Sequence, residues 1–206
     1  MIRTQVLLVG VGGQGVLTTA QILGAAAHAE DVPCVVGQLH GMSQRGGSVQ
    51  CTVILGDDVE SSMLIGREAD LVIAFEPLEA LRALPSMGPA TRVVTSRTQM
   101  VPFEVVYKNE APPSTDGIVA KLREVARDVR AVDTRGLVGA VGETRTLNVL
   151  MLGAAAGLGL LPLGDAALLE AARARCGEKY FELNRKAFEL GRAAATSNAT
   201  TTAEAR

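Results

Sequence analysis

Two glycine-rich stretches carry the residues of this sequence that are best suited to bind a small anion. The first, GVGGQG, directly follows the apolar run at residues 6–9. Glycines spaced G-x-G-x-x-G between a strand and a helix allow a tight turn and let backbone N–H groups approach a phosphate. Close packing of helix on strand explains the same glycines, but a Gln14 facing out of the turn favours a ligand. The contacts predicted for this loop are Gly10, Gly12, Gly13, Gln14 and Gly15.

A dinucleotide site needs a further residue that the sequence does not supply. An acid at the end of the second strand, about 20 residues after the glycines, normally holds the ribose hydroxyls. The second apolar run ends in VGQL without a carboxylate, and Glu30 and Asp31 precede that run. A nicotinamide site is therefore disfavoured, while a free-standing Rossmann-type nucleotide-binding oxidoreductase or sensor stays open as the alternative function.

The second stretch, QLHGMSQRGGSV at residues 38–49, is a polar loop. Arg45 offers a planar, permanently charged fork that suits phosphate or carboxylate, although a surface ion pair explains it too. Loops that follow parallel strands meet at one edge of an open α/β sheet, so both stretches are expected to form one anion-binding rim. The predicted contacts here are His40, Ser43, Gln44, Arg45, Gly46 and Gly47.

The surrounding pattern predicts a Rossmann-like α/β fold. Strand patterns at 5–9, 34–38, 48–55, 71–74, 92–95 and 129–133 alternate with helical patterns at 16–29, 77–84 and 118–127. This alternation indicates a doubly wound, mostly parallel sheet with helices on both faces. A helical C-terminal portion follows, at about 145–157, 165–175 and 178–191. We predict one domain over residues 3–191 and a disordered tail at 192–206, which has little to bury.

Composition excludes several classes of partner. A net charge of −2 and 3% aromatic residues provide neither a basic surface nor stacking platforms for nucleic acid. The longest apolar stretch, 147–163, contains three glycines and a proline and falls short of the roughly 20 residues that span a bilayer. It is interpreted as a buried helix with its exit loop. No export signal is recognisable, so a cytoplasmic protein is expected.

The titratable side chains predict no metal site and no catalytic residue. Cys34, Cys51 and Cys176 are far apart and form no C-x-x-C pair, so neither disulfides nor zinc or iron–sulfur ligation is indicated, and we interpret them as buried thiols. His40 has no nucleophile or carboxylate that can be named as its partner. Polar scaffolding of its loop is the simpler interpretation.

Four segments, taken in order and spacing, resemble the gamma-type domain of 2-oxoacid:ferredoxin oxidoreductases: GVGGQGVLTTAQILGAAA, HGMSQRGGSV, TLNVLMLGAAAGLG and EKYFELNRKAFELG. The resemblance covers residues 3–191. Within the family, the G-M-S-Q-R-G-G loop is most similar to the small beta subunit of the indolepyruvate enzymes. Asn148 matches an asparagine position of the family and is a further predicted ligand contact, although an amide bonded to backbone near a helix start explains it equally well.

The resemblance implies a role within a complex. Enzymes of this family decarboxylate a 2-oxoacid on thiamine diphosphate, pass electrons through 4Fe–4S clusters to ferredoxin, and release an acyl-coenzyme A. This chain has no G-D-G…N pattern for the Mg²⁺ of thiamine diphosphate and no C-x₂-C spacing for clusters. These cofactors are therefore expected on a large alpha subunit. This chain would complete the hetero-oligomer and wall the cleft for coenzyme A and an arylpyruvate, with arylglyoxylates, branched-chain oxoacids and pyruvate left open.

Overall fold

The computed structural model describes residues 3–40, 46–57, 59–64, 66, 68–100 and 112–197, with only the backbone of residues 39 and 40. In this part of the chain six strands form one sheet: β1 (Thr4–Val11), β2 (Cys34–His40), β3 (Ser48–Leu55), β4 (Leu71–Ala74), β5 (Arg92–Ser96) and β6 (Asp128–Val132). The α-helices are α1 (Val16–Ala29), α2 (Pro77–Arg82), α3 (Thr115–Val125), α4 (Thr134–Val141), α5 (Leu147–Ala156), α6 (Asp165–Cys176) and α7 (Phe181–Ser197).

The sheet confirms the predicted mostly parallel α/β class, with one exception to parallel pairing. Its strand order is β2-β3-β1-β4-β5-β6, and β1, β4, β5 and β6 pair in parallel. Strand β3 pairs antiparallel with both β1 and β2, an exception whose position the sequence analysis did not identify. Only residues 41–47 separate β2 from β3, and a parallel connection needs a crossover of a dozen or more residues.

Both faces of the sheet are buried, which explains why its strands read as continuous apolar runs. On β1, Val6 and Leu8 face a core shared with α1 and α5 to α7, whereas Leu7 and Val9 face α2 and α3. All four side chains are nearly or fully buried. The alternation along one strand thus places a helical layer on each side.

The apolar stretch that begins at residue 147 forms a buried helix, as predicted. Helix α5 crosses α7 at very short range: a methyl group at Gly153 would collide with the Phe188 carbonyl oxygen, and one at Gly191 with the Leu150 carbonyl oxygen. Small residues at the crossing allow the two backbones to touch. Among the helices that the structure describes, none is both long and apolar enough to cross a membrane.

The structure differs from the sequence prediction at two helices. Helix α4 was not predicted, since Gly136 and Gly139 lower the helix propensity of its eight residues. Helix α7 continues to Ser197 instead of ending near 191, because its last turns are alanine-rich and Ala195 is buried. Residues 198–206 of the predicted tail lie outside the described residues.

Candidate functional site

A cleft of about 540 Å³ opens at the carboxyl edge of the parallel strands. Open α/β sheets bind ligands at this edge, where the strand order reverses. Here the chain runs from β1 to β2 on one side of β1, and from β3 to β4 on the other side. The cleft lies between the glycine loop, the ends of β4 and β5, and helix α4. Its lining residues are Gly13, Gln14, Phe75, Ser96, Thr98, Met100, Thr134, Arg135, Val138, Gly139, Gly142, Glu143, Thr144 and Leu147.

The two glycine-rich stretches meet beside this cleft. The N–H group of Gly12 donates a hydrogen bond of 2.9 Å to the carbonyl oxygen of Gly47. The next residue, Ser48, donates its hydroxyl to the buried Glu79 carboxylate of α2, with 2.5 Å between the oxygens. The described end of the second loop is therefore attached to both the glycine loop and the helical layer. Residues 41–45, with Ser43, Gln44 and Arg45, lie outside the described part, as does the His40 side chain.

Two of the predicted contacts in the glycine loop serve the protein's own packing. Any side chain at Gly10 would meet Val16 Cγ2 at 2.7 Å and Phe75 Cβ at 2.9 Å. Gln14 is half-buried and borders the cleft, but its amide is bonded within the protein. Its Oε1 accepts the Val11 N–H at 2.8 Å and its Nε2 donates to the Phe75 carbonyl at 3.1 Å. Backbone groups at the ends of β1 and β4 satisfy this amide.

Gly13 keeps the outward-facing part of the loop free of a side chain, and Gly15 makes the turn into α1. Gly13 is exposed, has a φ of +102°, and no atom lies within 4 Å of where its Cβ would be. Gly15, with a φ of +85°, immediately precedes α1. The first N–H groups of a helix have no partner within it, so this turn leaves backbone donors next to the cleft.

Asn148, which the sequence analysis named as a candidate ligand contact, lies against the glycine loop. A Cβ atom at Gly15 would be 2.8 Å from the Asn148 Cβ and 3.5 Å from its Nδ2. The alternative expectation, an amide bonded to backbone near the helix start, is not seen: Asn148 Oδ1 is buried and has no hydrogen-bond partner among the described residues.

A chain of hydroxyl groups lines the cleft beneath β5 and α4. Ser96 Oγ and Thr134 Oγ1 are 2.6 Å apart, and Thr134 Oγ1 donates to Thr98 Oγ1 at 2.9 Å. Ser96 Oγ also accepts the Thr98 N–H at 2.9 Å. These bonds hold the segment after β5 against the start of α4. They make this wall of the cleft polar.

Two charged side chains line the cleft, Glu143 and Arg135, and they differ in whether an ion pair holds them. Glu143 is held by Arg145, which donates through Nε and Nη2 at 3.1 and 3.0 Å, and these bonds lower the pKa of the Glu143 carboxyl. The Arg145 guanidinium also lies 4.5 Å from the centre of the Tyr180 ring. Arg135, by contrast, is exposed and makes no ion pair or hydrogen bond to any residue that the structure describes. Arg135 is thus a cation available to a ligand.

A buried carboxylate, Glu76, supports the outer wall. Its Oε2 accepts the Glu79 N–H at 3.0 Å at the start of α2, and its Oε1 accepts the Met100 N–H at 3.1 Å. Burial raises the pKa of the Glu76 carboxyl, while these backbone bonds oppose the rise. Because Met100 lines the cleft, Glu76 fixes the segment after β5 from below.

Sequence reasoning missed Arg135, Glu76 and the hydroxyl chain. A positional signal was present: each follows or ends a parallel strand, where open sheets place ligand-binding residues. In FEP at 75–77, an acid followed by proline also marks a helix start.

The described residues form no metal-binding site. No three His, Cys, Asp or Glu side chains among them are grouped as metal ligands. Cys51 is fully buried, and burial raises its pKa to about 11 and also raises the pKa of Cys34. These donors do not fit an iron–sulfur cluster or the Mg²⁺ of thiamine diphosphate.

The topology also departs from a dinucleotide site. The ribose acid of such a site comes from a strand that lies parallel beside β1. Here antiparallel β3 occupies that place and presents Ser48 at the cleft edge. The glycine loop therefore has a different set of neighbours from a nicotinamide-binding loop.

Comparison with known families identifies the family to which this fold and loop belong. The model of the pyruvate ferredoxin/flavodoxin oxidoreductase family matches residues 5–194. The chain belongs to this family. It is 38% identical over 189 residues to indolepyruvate oxidoreductase subunit IorB of Methanothermobacter thermautotrophicus, with 92% of this chain and 96% of the relative covered. Its identity to the IorB subunit of Archaeoglobus fulgidus is 35%, with 92% and 94% covered.

Solved structures of the family share the fold. The gamma subunit of a keto/oxoacid ferredoxin oxidoreductase from Geobacter sulfurreducens superposes with a TM-score of 0.68 at 23% identity, over 94% of this chain and 99% of that one. A 2-oxoglutarate:ferredoxin oxidoreductase from Magnetococcus marinus, solved with 2-oxoglutarate, coenzyme A and succinyl-CoA bound, gives 0.75 at 16% identity. That match covers 96% of this chain and 32% of the longer one.

Proposed function

We propose that this chain is the small subunit of an indolepyruvate-type 2-oxoacid:ferredoxin oxidoreductase. Family membership and the identity of 35–38% to IorB subunits support this assignment. The complex converts a 2-oxoacid and coenzyme A to an acyl-coenzyme A and carbon dioxide, with two electrons passed to ferredoxin. Thiamine diphosphate and iron–sulfur clusters are held by the large partner subunit, because this chain lacks the donor sets for them.

Within that complex, the chain walls the cleft for coenzyme A and the 2-oxoacid. One observation carries this role: the hydrogen bond between Gly12 and Gly47 joins both glycine-rich loops at the rim of the 540 Å³ cleft. The rim offers backbone N–H groups and Arg135, which has no partner among the described residues, and both suit the anionic groups of coenzyme A. Of the sequence candidates, Gly13, Gly15, Gly46, Gly47 and Asn148 are proposed for this role. Arg45, with Ser43, Gln44 and His40, stays a proposed contact.

Coexpression with the cognate large subunit tests the function. We expect a brown hetero-oligomer that reduces viologen in the presence of coenzyme A and an arylpyruvate, and a screen of pyruvate, branched-chain oxoacids and arylglyoxylates identifies the preferred 2-oxoacid. Full activity of the large subunit alone would contradict a role for this chain in the cleft.

Two arginine variants test the cleft more closely. Arg135→Ala and Arg45→Ala should each raise the KM for coenzyme A about tenfold if the cation meets a phosphate. Arg123→Ala, which removes an exposed arginine from α3, is the matched control. A variant that assembles normally and keeps its KM for coenzyme A removes that arginine from the proposed site.

A further inference from the structure

The first residue of β3 is attached to helix α2 by a single short hydrogen bond. Ser48 is exposed and pairs with Val11, the last residue of β1, so it forms the final rung of the β1–β3 ladder. The ends of a ladder open most easily. Here the Ser48 hydroxyl donates to Glu79 Oε2, with 2.5 Å between the oxygens, a length typical of a bond to a charged carboxylate. The bond therefore holds the final rung closed, next to the bond from Gly12 to Gly47.

Glu79 is a buried carboxylate, and both of its oxygens are used. The residue is only 4% exposed, and acids are rarely buried to this extent unless they are paired. Its Oε1 accepts a hydrogen bond from Arg82 Nη1, one turn later in α2, and its Oε2 accepts the Ser48 hydroxyl. A glutamate at the third position of a helix commonly reaches back to the N–H group of the N-cap residue. Glu79 is instead directed to the second loop.

The backbone of Glu79 is itself fixed to the opposite wall of the cleft. Its N–H group donates to Glu76 Oε2 at 3.0 Å, and Glu76 Oε1 accepts the Met100 N–H at 3.1 Å. The next residue, Ala80, is fully buried against the sheet. Glu79 can therefore act as an anchor for Ser48, because the helix start that carries it is held from two sides.

We propose that Glu79 is a positioning residue for the second loop. Through Ser48 it keeps the Gly46 and Gly47 end of that loop beside the glycine loop, and so maintains the shape of the rim that receives coenzyme A. Glu79 is not among the residues that line the cleft, so it acts on the ligand only through Ser48. The identity of the ligand rests on the proposed function, whereas the anchoring of the loop does not.

Two variants remove the two ends of this bond. Ser48→Ala removes the donor, and Glu79→Met removes the acceptor while keeping an unbranched side chain of good helix propensity. Glu79→Gln keeps an acceptor oxygen and is the conservative variant. The matched controls are Ser61→Ala, at an exposed serine with a local hydrogen bond, and Glu170→Met, at an exposed glutamate that also bonds an arginine three residues later. Thermal unfolding of each variant reports whether it folds.

Tryptic cleavage of the full chain at the Arg45–Gly46 bond measures the anchoring without any activity. Cleavage follows the population of the open form when the loop recloses quickly, so loss of one charged hydrogen bond should speed it about tenfold. We expect this rise in Ser48→Ala and Glu79→Met, a smaller rise in Glu79→Gln, and none in the controls. Cleavage after Arg123 in α3 should stay unchanged. An equal rise at both sites, or no rise at Arg45, would overturn the proposal.

The double variant Ser48→Ala/Glu79→Met tests whether the two residues act through the same bond. It should be cleaved at Arg45 no faster than the faster single variant, because the second substitution has no further bond to remove. Effects of the two substitutions that multiply would show that they act independently, and would contradict anchoring of the loop by Glu79 through Ser48.

The kinetics of the complex with the large subunit test the consequence for coenzyme A. Ser48→Ala and Glu79→Met should raise the KM for coenzyme A about tenfold and leave kcat within about twofold of wild type, while Glu79→Gln restores most of the affinity. Faster cleavage with an unchanged KM would overturn the positioning role. An inactive wild-type complex together with the expected cleavage pattern would remove the proposed function and keep the anchoring by Glu79.

Discussion

The α-carbon of Gly15 rests on the Asn148 side chain, so closely that a methyl group at Gly15 would lie 2.8 Å from the Asn148 Cβ. This contact joins the glycine loop to the C-terminal helices and sets one end of the candidate cleft. It requires glycine for two separate reasons, since the φ of Gly15 is also +85°.

Gly15→Ala is expected to destabilise the protein by about 2–4 kcal/mol. About 1–2 kcal/mol comes from the left-handed backbone, and the remainder comes from overpacking against Asn148. Gly142→Ala is the matched control, because its φ is +86° and no atom lies within 4 Å of its added Cβ. Gly142→Ala should therefore lose only about 1–2 kcal/mol, the cost of the left-handed backbone. Urea unfolding of both variants measures the difference, and equal losses would mean that the contact with Asn148 relaxes at no cost.

Thr134→Val should weaken the wall of the cleft by removing the middle hydroxyl between Ser96 and Thr98. The expected loss is about 1–3 kcal/mol, because the buried Ser96 hydroxyl and the half-buried Thr98 hydroxyl each lose a partner. Thr95→Val makes the same substitution at a buried site with a single hydrogen bond of 3.2 Å, and should cost about 1 kcal/mol. The free energies of unfolding of the two variants are compared directly. If Thr134→Val lowers the free energy of unfolding by less than Thr95→Val does, the hydroxyl chain does not stabilise this wall.

Glu76 should make stability depend on pH in a particular direction. Its pKa in the folded protein is raised above the ordinary 4.5 by burial, so the folded state holds this proton more tightly than the unfolded chain. The favourable contribution is fully present below pH 4.5 and is lost as pH rises through the folded pKa.

The measurement is the free energy of unfolding of wild type minus that of Glu76→Gln, taken at several pH values from about 4 to 8. The two proteins share every other titrating group, so the difference isolates Glu76. We expect it to decrease as pH rises. A difference that grows with pH would mean that the bonds from Glu79 and Met100 outweigh burial.

Cys51 should behave as an inert thiol. With a pKa of about 11, its thiolate fraction at pH 8 is lower by about 100-fold than that of a free cysteine, and the thiolate is the reactive form. In a Cys34→Ser/Cys176→Ser variant, which leaves Cys51 as its single cysteine, a disulfide reagent should therefore react at least about 100-fold more slowly before unfolding than after. Fast labelling of the folded protein would contradict this prediction, and would mean that the sheet around Cys51 opens locally and exposes the thiol.

The sequence by itself determined the local elements and the position of the loops along the chain. Buried β-branched runs and the glycine spacing specify strand, turn and helix through short-range sterics, so the glycine loop was predicted at the carboxyl edge of β1. The apolar run from residue 147 was likewise predicted as a buried helix. The Gly46 and Gly47 end of the second loop also lies where the sequence placed it, beside Gly12.

Only the tertiary structure decided which polar groups are bonded inside the protein and which have no partner among the described residues. Gln14 is satisfied by two backbone groups, one of them 61 residues away, whereas Asn148 packs against the glycine loop with its Oδ1 unbonded to any described residue. Arg135 reaches the cleft because an unpredicted helix carries it there. Each outcome depends on the order and direction of the strands, which long-range packing fixes and local sequence pattern does not encode.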